Sequence, residues 1–202
     1  MTRLLVASRN AKKLAELRRV LDAAGLSGLT LLSLTDVPPF DEAPETGATF
    51  EANALAKARD AYAATGLPAV ADDSGLVVDA LNGMPGVLSA RWAGAHGNDV
   101  ANLELLLGQM RDVPDERRGA AFVSACALVH GSRAADSVVV RGEWPGVIAR
   151  EPRGDGGFGY DPIFVPEGSG LSAAELTPAE KDAASHRGRA LALLVPALRT
   201  LA

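Results

Sequence analysis

Asp72 and Asp73 stand side by side in Ala71-Asp72-Asp73-Ser74-Gly75, directly after the apolar run Leu67-Pro68-Ala69-Val70. Two neighbouring anions repel each other, so a positive partner is expected beside them. A Mg²⁺ ion, which takes oxygen ligands and usually only one or two protein carboxylates, meets that need. Asp, Ser and Gly also dominate turns for backbone reasons, so the same residues read as a turn where a buried strand meets solvent.

Four other stretches hold residues of a matching kind. Ser8-Arg9-Asn10-Ala11-Lys12-Lys13 follows a short apolar run and leads into a helical pattern. The free N–H groups and positive dipole end of such a helix suit phosphate. Lys12 and Lys13 oppose that dipole, and are explained by a neutralising anion or by a solvated face. The stretch is not a Walker A loop, because the glycine spacing and the Lys-Ser/Thr pair are missing. Glu45-Thr46-Gly47-Ala48-Thr49 carries an acid in a loop, and Asn53 and Lys57 then lie four apart on one helical face. That pair is placed to reach one polyphosphate, or is an exposed polar face. In Gly154-Asp155-Gly156-Gly157-Phe158-Gly159-Tyr160-Asp161-Pro162, glycine lets backbone come close to a ligand. Phe158 and Tyr160 offer faces for stacking a base, worth about 1–3 kcal/mol in single-stranded systems; the alternative is a Gly-rich loop without a ligand. Lys181 and Ser185-His186-Arg187 offer donors to phosphate or a base edge, or form ordinary surface.

Acids, cations and Gly-rich backbone in loops beside strands are what holding and hydrolysing a metal–polyphosphate requires. No Ser-His-Asp or Cys-His arrangement competes. The three histidines, His96, His130 and His186, have no metal-ligand spacing.

The elements that position these residues alternate. Arg3 to Ala7 reads as a buried strand, and Leu14, Leu17, Leu21 and Ala24 as a helix ending at Gly25. Leu29 to Leu34 is a second strand, and the Pro- and acid-rich segment 35–49 a loop. Phe50, Ala54, Ala58 and Ala61 mark a helix that stops near Gly66. Leu76-Val77-Val78 is a strand after the acidic turn, broken by Gly83-Met84-Pro85-Gly86. Asn98-Asp99 caps a helix carrying Val100, Leu103, Leu107 and Met110. Ala120 to Val129 and Ser137 to Arg141 are two antiparallel strands, and 142–170 holds only short strands such as Pro162 to Val165. Thr177-Pro178-Ala179-Glu180 combines an N-cap, Pro at the first helical position and a capping-box Glu. A final helix places Leu191, Leu194, Leu198 and Leu201 on one face. The alternation predicts an α/β fold with a mixed central sheet flanked by helices.

A chain of 202 residues, 48% hydrophobic and 22% charged, buries a substantial core and is not disordered. Its net charge of −5 argues against duplex nucleic acid as partner. The single Cys126 lies in an apolar strand-like run and reads as a reduced core residue. With no secretory segment and no run of 18 apolar residues, the expectation is a soluble, cytoplasmic protein without a membrane partner.

Taken together, Ser8-Arg9-Asn10-Ala11-Lys12-Lys13, Glu45-Thr46-Gly47-Ala48-Thr49-Phe50, Ala71-Asp72-Asp73-Ser74-Gly75-Leu76, Gly156-Gly157-Phe158-Gly159-Tyr160-Asp161-Pro162 and the Glu180-Lys181…Ser185-His186-Arg187 segment resemble the inosine triphosphate pyrophosphatase family, in the family's order. The resemblance implies a single elongated, two-lobed domain over 1–202 with the active site in a cleft, Mg²⁺ dependence and a homodimer. It also implies hydrolysis of the purine nucleoside triphosphates ITP, dITP and XTP to monophosphate and pyrophosphate. Other readings are a pyrophosphatase for a modified or pyrimidine nucleotide, and a non-catalytic nucleotide-binding module. By position, Asp73 matches the general base, Glu45 and Asp73 the metal-binding acids, with Asp72 as an additional contributor. Ser8, Arg9, Asn10, Lys13, Lys57, Ser74, Phe158, Gly159, Tyr160, Asp161, Lys181, His186 and Arg187 match substrate-binding positions. Two departures stand out: Arg9 replaces a glycine common in the family, and Glu51-Ala52-Asn53 lacks the acid often found just before the Asn.

Overall fold

Leu4 and Leu5 are fully buried at the centre of the first strand, β1 (Thr2–Val6), as an apolar run of that length should be. Helix α1 (Ala11–Ala23) follows, and turns Leu17 and Leu21 inward. Strand β2 (Leu29–Leu32) then lies parallel to β1, with Leu31 opposite Leu4. The computed structural model describes residues 1–8, 11–41 and 44–202, the side chains of 11, 12, 16 and 182 excepted.

A 3-10 turn (Leu34–Asp36) follows β2, and α2 (Phe50–Thr65) and β3 (Ala69–Val78) come next. Helix α2 stops at Gly66 as expected, and Gly66 forms a left-handed C-cap at φ 67°. Helix α3 (Asp99–Gln109) starts from Asn98, whose side chain accepts from the Ala101 N–H. Strands β4 (Gly119–Val129), β5 (Ser137–Ile148) and β6 (Phe164–Pro166) precede α4 (Pro178–Ala184) and α5 (His186–Arg199). The strand order is β2-β1-β3-β4-β5-β6. β1 runs parallel to β2 and β3, whereas β6 is antiparallel to β5, so the sheet is mixed and the α/β expectation holds.

Four expectations are corrected. The acidic segment is no turn: 72–75 continue β3, and Leu76-Val77-Val78 belong to the same strand. Gly75 is there because Ser89 comes down on it, and a Cβ at that position would lie 2.4 Å from Ser89 Oγ. The Ser89 hydroxyl accepts from the Leu76 N–H at 2.9 Å and donates to the Gly86 carbonyl at 2.6 Å. Second, β5 does not stop at Arg141 but continues to Ile148, because Gly146, Val147 and Ile148 pair with β6. Third, the strand foreseen at Pro162 begins at Phe164, and 161–163 form a 3-10 turn. Fourth, Leu201 lies beyond α5, although it packs against the same core as Leu191, Leu194 and Leu198. The Thr177 capping box forms as expected, with Glu180 closing it.

The chain divides into two compact units. The first holds 1–73, 124–142 and 187–202, around a core that includes Leu4, Leu17, Val70, Leu128 and Leu194. The second holds 74–123 and 143–186, around Leu76, Leu106, Trp144, Ile163 and Phe164. Among the described residues, no helix is long and apolar enough to cross a membrane.

Candidate active site

Successive side chains leave a strand on opposite faces, so the two adjacent acids of β3 have different neighbours. Asp72 receives Lys13 Nζ at 2.8 Å and Arg187 Nε at 3.3 Å. Burial opposes its charge, yet these two cations hold its carboxyl well below the usual carboxylate range. Lys13 sits in the first turn of α1, where the helix dipole disfavours a cation. The anion that compensates it is the protein's own Asp72.

Asp73, almost wholly buried, accepts from Asn53 Nδ2 at 2.9 Å and faces Lys57 Nζ at 3.5 Å. The same ammonium lies 2.8 Å from Glu45 Oε1. Asn53 and Lys57 thus share a face of α2, as their spacing required, but Asn53 turns inward rather than toward a polyphosphate. Its Oδ1 accepts from the Gly47 N–H at 2.7 Å, so one amide ties the Glu45–Gly47 loop to Asp73. A Cβ at Gly47 would lie 2.5 Å from that oxygen, which explains the glycine. Thr49 caps α2 by accepting from the Ala52 N–H. Burial raises the Asp73 carboxyl above its ordinary value and Glu45 adds to this, against the pull of Lys57 and Asn53. Lys57, though partly desolvated, is held charged by Asp73 and Glu45.

The Gly-aromatic segment belongs to the second unit and treats its two rings differently. Phe158 is 49% exposed, whereas Tyr160 is 4% exposed and donates its hydroxyl to the Ser89 carbonyl at 2.9 Å. Burial pushes the Tyr160 phenol up. Only Phe158 can therefore offer a stacking face, which corrects the pairing of the two aromatics. Asp161 is buried, accepts from the Phe158 N–H at 2.7 Å, and pairs with Lys181. It braces the turn from within. Lys181 Nζ also lies 5.1 Å from the centre of the Phe158 ring. Gly157 must lack a side chain because a Cβ there would meet Asp161 Oδ2. The Gly159 N–H donates to Asp99 Oδ2 at 2.9 Å.

The remaining candidates are placed as follows. Ser8 follows β1 directly, its N–H on the Val6 carbonyl. Ser74 is half-buried in β3. His186 is buried and stacks on Phe122 at 5.0 Å, so its ring is part of the second unit's interior rather than open surface. Arg187 is buried beside Asp72. Arg9 and Asn10 lie outside the described residues. Cys126 is fully buried and its thiol is pushed up to about 12, mainly by burial, which makes it an inert core residue. Glu51 pairs with Arg141.

Two residues with a part in these arrangements were not foreseen. Ser89 holds the backbone of β3, and Asp99 the Gly159 N–H. Asp99 was legible only as a cap, and nothing in the spacing signals a partner sixty positions away. Among the described residues, no three His, Cys, Asp or Glu side chains come together as a preformed metal cluster. Glu45 and Asp73 are two carboxylates that share the Lys57 ammonium.

Comparison with known proteins places the whole chain among relatives. A Mycolicibacterium paratuberculosis (strain ATCC BAA-968 / K-10) protein named dITP/XTP pyrophosphatase is 77% identical over 203 residues, covering 100% of this chain and 98% of that one. The crystal structure of a nucleoside-triphosphatase / dITP/XTP pyrophosphatase from Mycobacterium abscessus is 68% identical, with a TM-score of 0.81 over 98% of this chain and 100% of the other. A HAM1 protein from Coxiella burnetii is 42% identical, with a TM-score of 0.89 over 99% of this chain and 100% of its own. The Ham1 family pattern covers residues 4–197, and on that match and these full-length relatives the chain belongs to the Ham1 family.

Proposed function

We propose that this protein is a nucleoside triphosphate pyrophosphatase that converts ITP, dITP and XTP to the monophosphate and pyrophosphate. Relatives named dITP/XTP pyrophosphatase along the full chain support the substrate class. The observation that carries the chemistry is Asp73, buried and raised in pKa, held by Asn53 and set beside Lys57 and Glu45.

A carboxylate is a useful base when its pKa moves toward the working pH, and Asp73 is shifted that way. It would take a proton from the attacking water as that water's oxygen bonds to phosphorus. The anhydride bond then breaks, and pyrophosphate leaves with the electron pair. Lys57 and Lys13 would oppose the charge growing on the phosphate oxygens.

The reading includes a Mg²⁺ ion. Glu45 and Asp73 fit it: they are oxygen donors already converging on one cation, and one or two carboxylates plus substrate phosphates are the usual Mg²⁺ set. Bound there, the ion would supply charge compensation along the phosphates. Asp72, committed to Lys13 and Arg187, serves the site as the anchor of those cations.

Base choice would rest on the 6-position, where hypoxanthine and xanthine carry a keto acceptor and adenine an amino donor. A donor that suits the keto oxygen, Arg187 being the candidate, would meet a donor in adenine, and such buried mismatches discriminate strongly. The N–H groups of Phe158 and Gly159 are already taken by Asp161 and Asp99. The test is pyrophosphate release across ITP, dITP, XTP, GTP and ATP, with and without Mg²⁺. Equal kcat/KM for all five would refute the reading. A homodimer and a cytoplasmic location belong to the same proposal, and light scattering on the purified chain tests the first.

A further inference from the structure

Asp99 is the first residue of α3, where a carboxylate suits the helix dipole, but it does not cap the helix. The capping hydrogen bond to the Ala101 N–H comes from Asn98, and Asp99 Oδ2 instead accepts from the Gly159 N–H at 2.9 Å. The helix that carries it is firmly held. Asn102 accepts from the Ala93 N–H and donates to the Ala90 carbonyl, and Leu103 and Leu106 are buried in the core. Asp99 is therefore an anchor on a rigid element, aimed at the residue next to Phe158.

Around that residue the backbone is fixed at three points. Asp161 holds the Phe158 N–H, Asp99 the Gly159 N–H, and the Tyr160 hydroxyl reaches the Ser89 carbonyl. Gly159 sits at φ 62°, a left-handed conformation that no β-carbon stabilises. The Phe158 carbonyl accepts from the Asp161 N–H at 3.2 Å, so without Asp99 the Phe158–Gly159 peptide keeps that bond and loses the one on its N–H side. The Phe158 ring, the exposed aromatic of the segment, would then be held less tightly.

We propose that Asp99 is a positioning residue for the nucleobase, holding the Gly159 N–H so that Phe158 presents a fixed stacking face. The assignment rests on the purine triphosphate reading above. A tethered carboxylate is a stronger acceptor for this N–H than a neutral keto oxygen of a base, so Asp99 stays in place when a nucleotide binds.

The experiment compares wild type, Asp99→Ala and Asp99→Asn in steady-state hydrolysis of dITP, and measures inhibition by inorganic tripolyphosphate, which has no base. Asp99→Ala should raise KM about five- to tenfold, the loss of one charge-assisted hydrogen bond at an exposed site, with kcat within about twofold. Asp99→Asn, whose carbonyl can still accept, should restore most of the KM. Tripolyphosphate inhibition should be the same in all three. An unchanged KM in Asp99→Ala overturns the assignment, and a lowered one shows that Asp99 competes with the base instead. Equal weakening of tripolyphosphate also overturns it, as a general structural effect. If Asp99→Ala does not fold, Asp99→Ser, too short to reach Gly159, carries the same comparison. A wild-type protein that releases no pyrophosphate refutes the functional reading itself, and this one with it.

Discussion

Asn53 Nδ2 donates to Asp73 Oδ2 at 2.9 Å across twenty residues of sequence, and the same amide's oxygen accepts from the Gly47 N–H. One buried side chain thereby sets the base candidate, the loop that carries Glu45, and the start of α2. The proposed base is thus held from behind by a buried amide.

The first prediction concerns Asp73. Asp73→Asn keeps an oxygen that can accept from Asn53, so the local packing should survive. It removes the proton acceptor, and kcat should fall by about 10²–10⁴-fold, the range for a lost general base. Nucleotide binding should remain within a few-fold, read by calorimetry with the intact triphosphate. Turnover close to wild type would overturn the role given to Asp73.

Asn53→Ala should act through position. It leaves the Gly47 N–H and one Asp73 oxygen without their protein partner, so kcat should fall more than KM rises. Gly47→Ala attacks the same contact from the other side, since its Cβ would lie 2.5 Å from Asn53 Oδ1. Forced overpacking of this kind costs about 1–3 kcal/mol, and a similar kinetic split should accompany it. A Gly47→Ala enzyme with wild-type kcat would show that the loop shifts freely.

Asp72 makes a prediction about stability and pH. Its carboxyl titrates below the usual value because Lys13 and Arg187 outweigh its burial. The folded state therefore binds that proton more weakly than the unfolded chain. The stabilisation is present above the unfolded value of about 3.9 and is lost as pH falls below it. Asp72→Asn should cost about 3 kcal/mol at neutral pH, the low end for breaking a buried ion pair, because Lys13 remains partly exposed. The gap between the urea midpoints of the two proteins should begin to narrow as pH falls below about 4 and go on narrowing toward the much lower folded value. A gap that persists unchanged at pH 3 would rule out the ion pair as its source.

What the sequence made legible follows physical range. Periodicity located α1, α2, α3 and the apolar face of α5, because each is written locally, whereas the break between α4 and α5 was not legible. The Thr177 box and the stop at Gly66 are equally local, and both are found. The acidic segment was misread because Ser74-Gly75 has turn chemistry, while the demand on Gly75 comes from Ser89, fourteen residues later. Asn53 and Lys57 were correctly put on one face, but a spacing of four says nothing about which of them turns inward. Phe158 and Tyr160 looked alike for the same reason. Only the Ser89 carbonyl, seventy-one positions before Tyr160, decides which ring is buried.

That difference between the two rings gives the last prediction. Tyr160→Phe removes a hydroxyl but keeps the ring, so the Ser89 carbonyl loses its donor and the second unit should lose about 0.5–1.5 kcal/mol. Its effect on KM should be smaller than that of Phe158→Ala, because the Tyr160 ring is buried and its hydroxyl only braces the turn beside Phe158. Phe158→Ala should behave in the opposite way. An exposed ring contributes little to the core, so the melting temperature should hold, while the loss of stacking should weaken nucleotide binding by about 1–3 kcal/mol. That corresponds to a rise in KM between roughly five- and 150-fold, shared by dITP and XTP because every purine has a stackable face. Tripolyphosphate inhibition should not change in either variant. If Phe158→Ala binds dITP as tightly as wild type while Tyr160→Phe does not, the exposed and buried rings have been assigned the wrong way round.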